Sequence, residues 1–121
     1  RYKPGAELYD RIAECPEFRP HHVRYDGKKP LFVSEYGGIG WSVGSDAWSY
    51  GNAPKSEEEF IARYDGLTTA LLNNPEHFGF CYTQLTDVEQ EQNGLYTYDR
   101  KAKFREEIIR NIISRKAAIE D

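Results

Sequence analysis

The sequence predicts an α/β fold with parallel strands. Two short apolar runs, Leu31 to Glu35 and Phe78 to Leu85, have the length and the aromatic and branched content of strands. A helical stripe lies between them, and a second follows near the end of the chain. A strand, helix and strand in that order, at this separation, normally form a parallel crossover.

The elements are justified in chain order. Leu8 and Ile12 recur at helical spacing after Pro4-Gly5, which predicts a short helix over residues 4–14, ending near Cys15-Pro16. Residues 16–29 are polar and broken by Pro16, Pro20 and Gly27, so they read as a connection. The first strand ends on Glu35, and glycines follow at once. Residues 37–55 are rich in Gly, Ser, Trp and Tyr and have no helical period. A loop of that length in a compact domain is usually functional, and this one carries Trp41, Trp48 and Tyr50.

Ser56-Glu57-Glu58-Glu59 predicts a capping box. The Ser56 oxygen can accept from the Glu59 N–H while Glu59 reaches back to the Ser56 N–H. Three carboxylates in the first turn also suit the helix dipole. Phe60, Tyr64, Leu67 and Leu71 then form one stripe, with Ile61, Thr68 and Leu72 beside it. The helix stops at Asn73-Asn74-Pro75, because a proline disfavours helix in the residue before it. Residues 86–93 form a polar loop after the second strand. The last helix is predicted from about Lys103 to Ala118, with Phe104, Ile108 and Ile112 on its apolar face beside Ile109 and Ile113.

Composition narrows the function classes. The 121 residues carry a net charge of −4, with acidic and basic residues interspersed. No basic stripe tracks a phosphate backbone, which argues against nucleic acid as a partner. No apolar run approaches the length of a membrane span, which argues against a membrane partner. The two cysteines, Cys15 and Cys81, do not make a disulfide framework. Cys81 lies in an apolar strand and is expected to be a buried free thiol; a reducing, cytoplasmic compartment is the matching expectation. His21 and His22 are adjacent and point to opposite faces of any extended segment, and His77 is alone, so no metal and no other cofactor is expected.

The residues that carry chemistry begin at the end of the first strand. The carboxyl ends of strands in a parallel α/β sheet are where reactive groups are placed. Glu35 stands there, and strict alternation would put it on one face with Leu31 and Val33.

Pro30-Leu31-Phe32-Val33-Ser34-Glu35-Tyr36-Gly37-Gly38 resembles the seventh-strand motif of family 2 glycoside hydrolases, the β-galactosidase and β-glucuronidase group. Gly79-Phe80-Cys81-Tyr82-Thr83-Gln84-Leu85-Thr86-Asp87 resembles the eighth strand of the same barrel. Asn93-Gly94-Leu95-Tyr96-Thr97-Tyr98-Asp99-Arg100-Lys101-Ala102-Lys103-Phe104 resembles the stretch leading into its last helix. The resemblance spans about residues 25 to 115. It implies a fragment of a (β/α)8 TIM barrel, about strands 7 and 8 with their helices. It also implies Glu35 as the nucleophile of a retaining glycosidase acting on terminal β-linked sugars.

A complete barrel of this kind needs about 250 residues. The whole chain, residues 1–121, is therefore expected to be one partial domain, the C-terminal portion of the catalytic barrel. The absence of Met suits an internal piece. Retention needs a second carboxyl group about 5–5.5 Å from the nucleophile. The family supplies it from an Asn-Glu pair on the fourth strand, and this chain has no Asn-Glu dipeptide. The fragment alone is therefore expected to be inactive. Asp87 and Glu89 are read as solvated loop carboxylates.

At the place where the family has a sugar-walling Trp this chain has Tyr82, followed on the same face by Gln84. Tyr82, Gln84, Trp41 and Trp48 are the candidate substrate-binding residues, for a β-glycoside. Trp41 and Trp48 serve equally well as packing anchors of their loop. A different class of function also fits: a non-catalytic carbohydrate-binding or protein-interaction domain with Trp41, Trp48 and Tyr82 as its stacking surface. Two strands with open edges and partly covered helix stripes further imply a homo-oligomer of the fragment.

Overall fold

A computed structural model of the protein describes residues 27–42 and 52–121. The helix predicted over residues 4–14, the pair His21 and His22, and Cys15, Trp48 and Tyr50 lie outside the described residues. The described elements run β1 (Leu31–Gly37), α1 (Glu57–Leu72), β2 (His77–Thr83), α2 (Glu106–Ile113) and a 3-10 turn (Ala118–Glu120). The two strands pair in parallel, so the α/β expectation holds.

β1 runs two residues beyond the predicted end, and β2 stops two residues short of it. The register is irregular. Val33 pairs with Phe80 and Tyr36 with Tyr82, so three steps along β1 match two along β2. This bulge sits at Ser34 and Glu35 and breaks the alternation expected to align Leu31, Val33 and Glu35. It brings Tyr36 back to the side of Tyr82, where the two rings meet edge to face at 5.4 Å.

α1 begins as its sequence dictates. Ser56 Oγ accepts from the Glu59 N–H at 3.2 Å. The return arm differs from the capping box: Glu59 accepts from the N–H of Lys55, one residue earlier, at 2.8 Å. The buried ridge is Phe60, Tyr64, Thr68, Leu71 and Leu72. It follows steps of four, so Leu67, predicted to lie in the stripe, is 38% exposed. α1 lies over the sheet: Thr68 Oγ1 and the Tyr36 hydroxyl are 3.0 Å apart, and Tyr64 meets Tyr82 edge-on at 5.0 Å.

α2 starts at Glu106 and not at Lys103. Arg105 stays extended, because Phe104 is drawn into the core and stacks on Phe60 at 4.2 Å. The helix ends at Ile113 and not near Ala118. Arg115 folds back there, donating to the Ile112 carbonyl at 2.8 Å and pairing with Asp65 on α1 at 2.7 Å. Ile39, Phe60, Tyr64, Phe104 and Ile112 form the core, with Trp41, Tyr82 and Leu95 packed on it.

The core lies on one face of the sheet. Cys81 follows Phe80 and precedes Tyr82, so it points to the other face, and it is free and exposed. The expectation of a buried thiol is corrected by that geometry: no described element covers this face. Phe32 and Phe78, with ring centroids 5.4 Å apart, are also 48% and 57% exposed. Among the described residues no helix is long and apolar enough to cross a membrane.

A two-stranded sheet whose outer edges no other described strand pairs, with Phe32 and Phe78 exposed, should pair with a second copy. Light scattering across a micromolar dilution series should show a dimer that dissociates on dilution. A monomer at every concentration would mean that the chain covers this face itself.

Candidate active site

The candidate site lies where both strands end. Glu35 is exposed, one residue before buried Tyr36, and so projects to the face away from α1. The backbone that carries it is tightly held. The Tyr36 ring is fixed by edge contacts to Phe80 and Tyr82 and by its hydroxyl contact with Thr68. Gly37 follows with φ 102°, and a Cβ there would fall 2.3 Å from the Tyr82 ring. Only glycine fits both the conformation and the space. A rigid inner face thus carries one exposed carboxylate on its outer side.

The other nominated residues are placed differently. Tyr82 turns toward α1, between Tyr36 and Tyr64, and its hydroxyl donates to the Asn93 carbonyl at 3.3 Å. Gln84 donates to the Glu91 carbonyl at 3.2 Å. The Trp41 ring packs beside Phe60 and Phe104 at 6.5 and 6.3 Å. Trp48 lies outside the described residues. Glu35 is therefore the nominated side chain that the described structure leaves open, while Tyr82, Gln84 and Trp41 build the wall behind it.

That wall is joined by a pair that sequence reasoning missed. Asp87, expected to be a solvated loop carboxylate, is buried, and Lys103 Nζ meets its Oδ1 at 2.6 Å. The two side chains are 8% and 1% exposed. Lys103 also donates to the carbonyls of Trp41, at 2.7 Å, and Gln92, at 3.4 Å. Asp87 Oδ1 further accepts from the Gly94 N–H at 2.9 Å. Gly94 is required here, since a Cβ would lie 2.5 Å from backbone atoms of Thr86 and Asp87. Glu89, by contrast, is exposed as expected. The one sequence signal for the pair was a lysine between Ala102 and Phe104, a charge in an apolar setting.

Burial pushes the Lys103 ammonium below its usual range, and the Asp87 carboxylate opposes that shift. The tyrosine cluster behind Glu35 is shifted upward. Burial is the main cause for Tyr36, Tyr64 and Tyr82, and neighbouring tyrosines add to it for Tyr64 and Tyr82. Among the described residues no group of three His, Cys, Asp or Glu side chains could hold a metal ion. No protein-family model matches this chain, and no curated protein matches it.

Two measurements follow from these contacts. Lys103→Met should cost about 3–5 kcal/mol in urea unfolding, because it strands a buried carboxylate. Adding Asp87→Asn should recover part of the loss, since the amide oxygen still accepts from Gly94. A single variant no less stable than the double would show that charge pairing is not what holds these loops.

The second measurement concerns alkaline pH. A tyrosine whose pKa is raised on folding keeps its proton longer in the native state. Its contribution is complete below about pH 10 and is lost as pH rises above that. Lys103, with its lowered value, has the opposite sign, but three tyrosines outweigh one lysine. Unfolding should therefore set in above about pH 10, with a step in tyrosinate absorbance beyond that of exposed tyrosines such as Tyr98. Complete ionisation of all nine tyrosines with helical circular dichroism still intact would contradict this.

Proposed function

We propose that this chain is the carboxyl-terminal part of a family 2 glycoside hydrolase barrel, and that Glu35 is the nucleophile of a retaining β-glycosidase. The observation that carries the reading is the setting of Glu35. It is an exposed carboxylate at the carboxyl end of a parallel strand, in a strand–helix–strand unit, on the face that α1 leaves open. Within a closed barrel that face would turn inward, where substrate is bound.

The chemistry follows from two carboxyl groups. A Glu35 oxygen attacks the anomeric carbon as the glycosidic C–O bond breaks. A carboxylic acid from the upstream part of the barrel protonates the leaving oxygen. Water then attacks the glycosyl ester, the same upstream group takes the water's proton, and Glu35 is released as carboxylate. The glycosidase, carbohydrate and barrel assignments all rest on the motif resemblance joined to this placement. The rival reading, a non-catalytic carbohydrate-binding or protein-interaction domain, uses Trp41, Trp48 and Tyr82 as a stacking surface. Trp48 lies outside the described residues, but Trp41 and Tyr82 pack against Phe60, Phe104 and Tyr64, which favours the enzyme.

This chain alone should turn over no nitrophenyl glycoside. In the longer protein, Glu35→Gln should lower kcat by at least about a thousandfold, because the amide cannot form the ester. A Glu35→Gly variant should regain turnover with added azide. Near-normal turnover of the Gln variant would assign the nucleophile elsewhere.

A further inference from the structure

We propose that Lys103 is a positioning residue for the proposed glycosidase reaction, tying the loop after β1 to the loop after β2 so that the two meet substrate as one rigid rim. The role rests on the glycosidase reading; the tie itself does not.

The ammonium has three protons and meets three acceptors. These are Asp87 Oδ1 at 2.6 Å, the Trp41 carbonyl at 2.7 Å and the Gln92 carbonyl at 3.4 Å. No donor is left over for a substrate, so Lys103 acts only through the groups it holds. The Gln92 carbonyl also accepts from the Trp41 N–H at 2.9 Å, so both backbone polar groups of Trp41 are engaged. The next residue, Phe104, lies beside the Trp41 ring, with centroids 6.3 Å apart. Lys103 and Phe104 together thus hold Trp41 by its backbone and by its ring.

This support is separate from the one that holds Glu35. Glu35 is fixed through Tyr36, which packs on Phe80 and Tyr82 and contacts Thr68. Between Glu35 and Trp41 the chain passes through Gly37 and Gly38, with φ 102° and 61°. Glycines leave that path with the most conformational freedom to lose, so the far side of it needs its own anchor. The tyrosine layer sets the nucleophile, and Lys103 sets the rim.

Stability alone does not account for a buried pair. Apolar residues of similar volume often stabilise a fold as well or better. A fully hydrogen-bonded ammonium adds direction, because it fixes three acceptors from two loops in one arrangement. All three lie beyond the carboxyl ends of β1 and β2, the side on which a parallel α/β sheet places its site.

The test uses Lys103→Met together with Asp87→Asn, which removes the tie without stranding a buried charge. In this chain, amide hydrogen exchange followed by NMR should become at least about tenfold faster at Trp41. It should stay within about threefold of normal at Gly38, whose N–H donates to the Thr83 carbonyl at 2.9 Å. Unchanged protection at Trp41, or equal acceleration at both amides, would overturn the proposal. In a polypeptide that carries this chain within the proposed complete barrel, the double variant should raise KM for a nitrophenyl glycoside at least about tenfold and keep kcat within about threefold. An enzyme that was merely destabilised would lose active molecules, and so kcat, at unchanged KM. That result, or no change in either constant, would also overturn the proposal. Near-normal turnover by Glu35→Gln would sink the nucleophile assignment alone, because the KM of the double variant can still be read. No turnover by the unaltered polypeptide would sink the glycosidase reading and this role within it, while the exchange result stands on the chain by itself.

Discussion

The ammonium of Lys103 sits where three stretches of chain meet. It bonds to the Trp41 carbonyl after β1, to Asp87 and the Gln92 carbonyl after β2, and it leads directly into Phe104 before α2. A charge buried to this degree is tolerated only when every direction it faces is polar. Asp87 in turn is committed to Gly94, and Gly94 leaves no room for a side chain. The loops at the carboxyl end of the sheet are therefore built around one ion pair, and the next residue, Phe104, stacks on Phe60.

That arrangement explains how so few elements present a defined surface. Two strands alone are marginal. Here α1 covers one face with tyrosines, and the bulge at Ser34 and Glu35 turns Tyr36 into that layer. The same bulge leaves Glu35 on the opposite side. Packing on one face thus fixes the backbone position of a carboxylate on the other, the arrangement on which the proposed role of Glu35 depends.

Much of this was legible in the sequence. Ser56 with Glu59, the stop at Asn73-Asn74-Pro75 and the two apolar runs located α1, β1 and β2 to within a residue or two. Glu35 at a strand end was legible for the same reason, because strand boundaries are local. The Lys103–Asp87 pair was not, since partners 16 residues apart are joined only by tertiary folding. Tyr82 could be read as facing a ligand, because alternation does not say which side a helix will cover. Cys81 was misjudged on the same ground: an apolar strand has two faces, and burial of one depends on what packs there. The early start predicted for α2 failed because Phe104 belongs to the apolar stripe yet is used as a plug before the helix begins.

The claim that Glu35 forms a covalent bond to substrate has one direct test. A polypeptide that carries this chain within the proposed complete barrel can be treated with a fluorinated sugar inactivator that traps the glycosyl ester of a retaining enzyme, and the labelled peptide mapped by mass spectrometry. The account predicts a single adduct on Glu35. An adduct on any other carboxylate of an inactivated enzyme would contradict it.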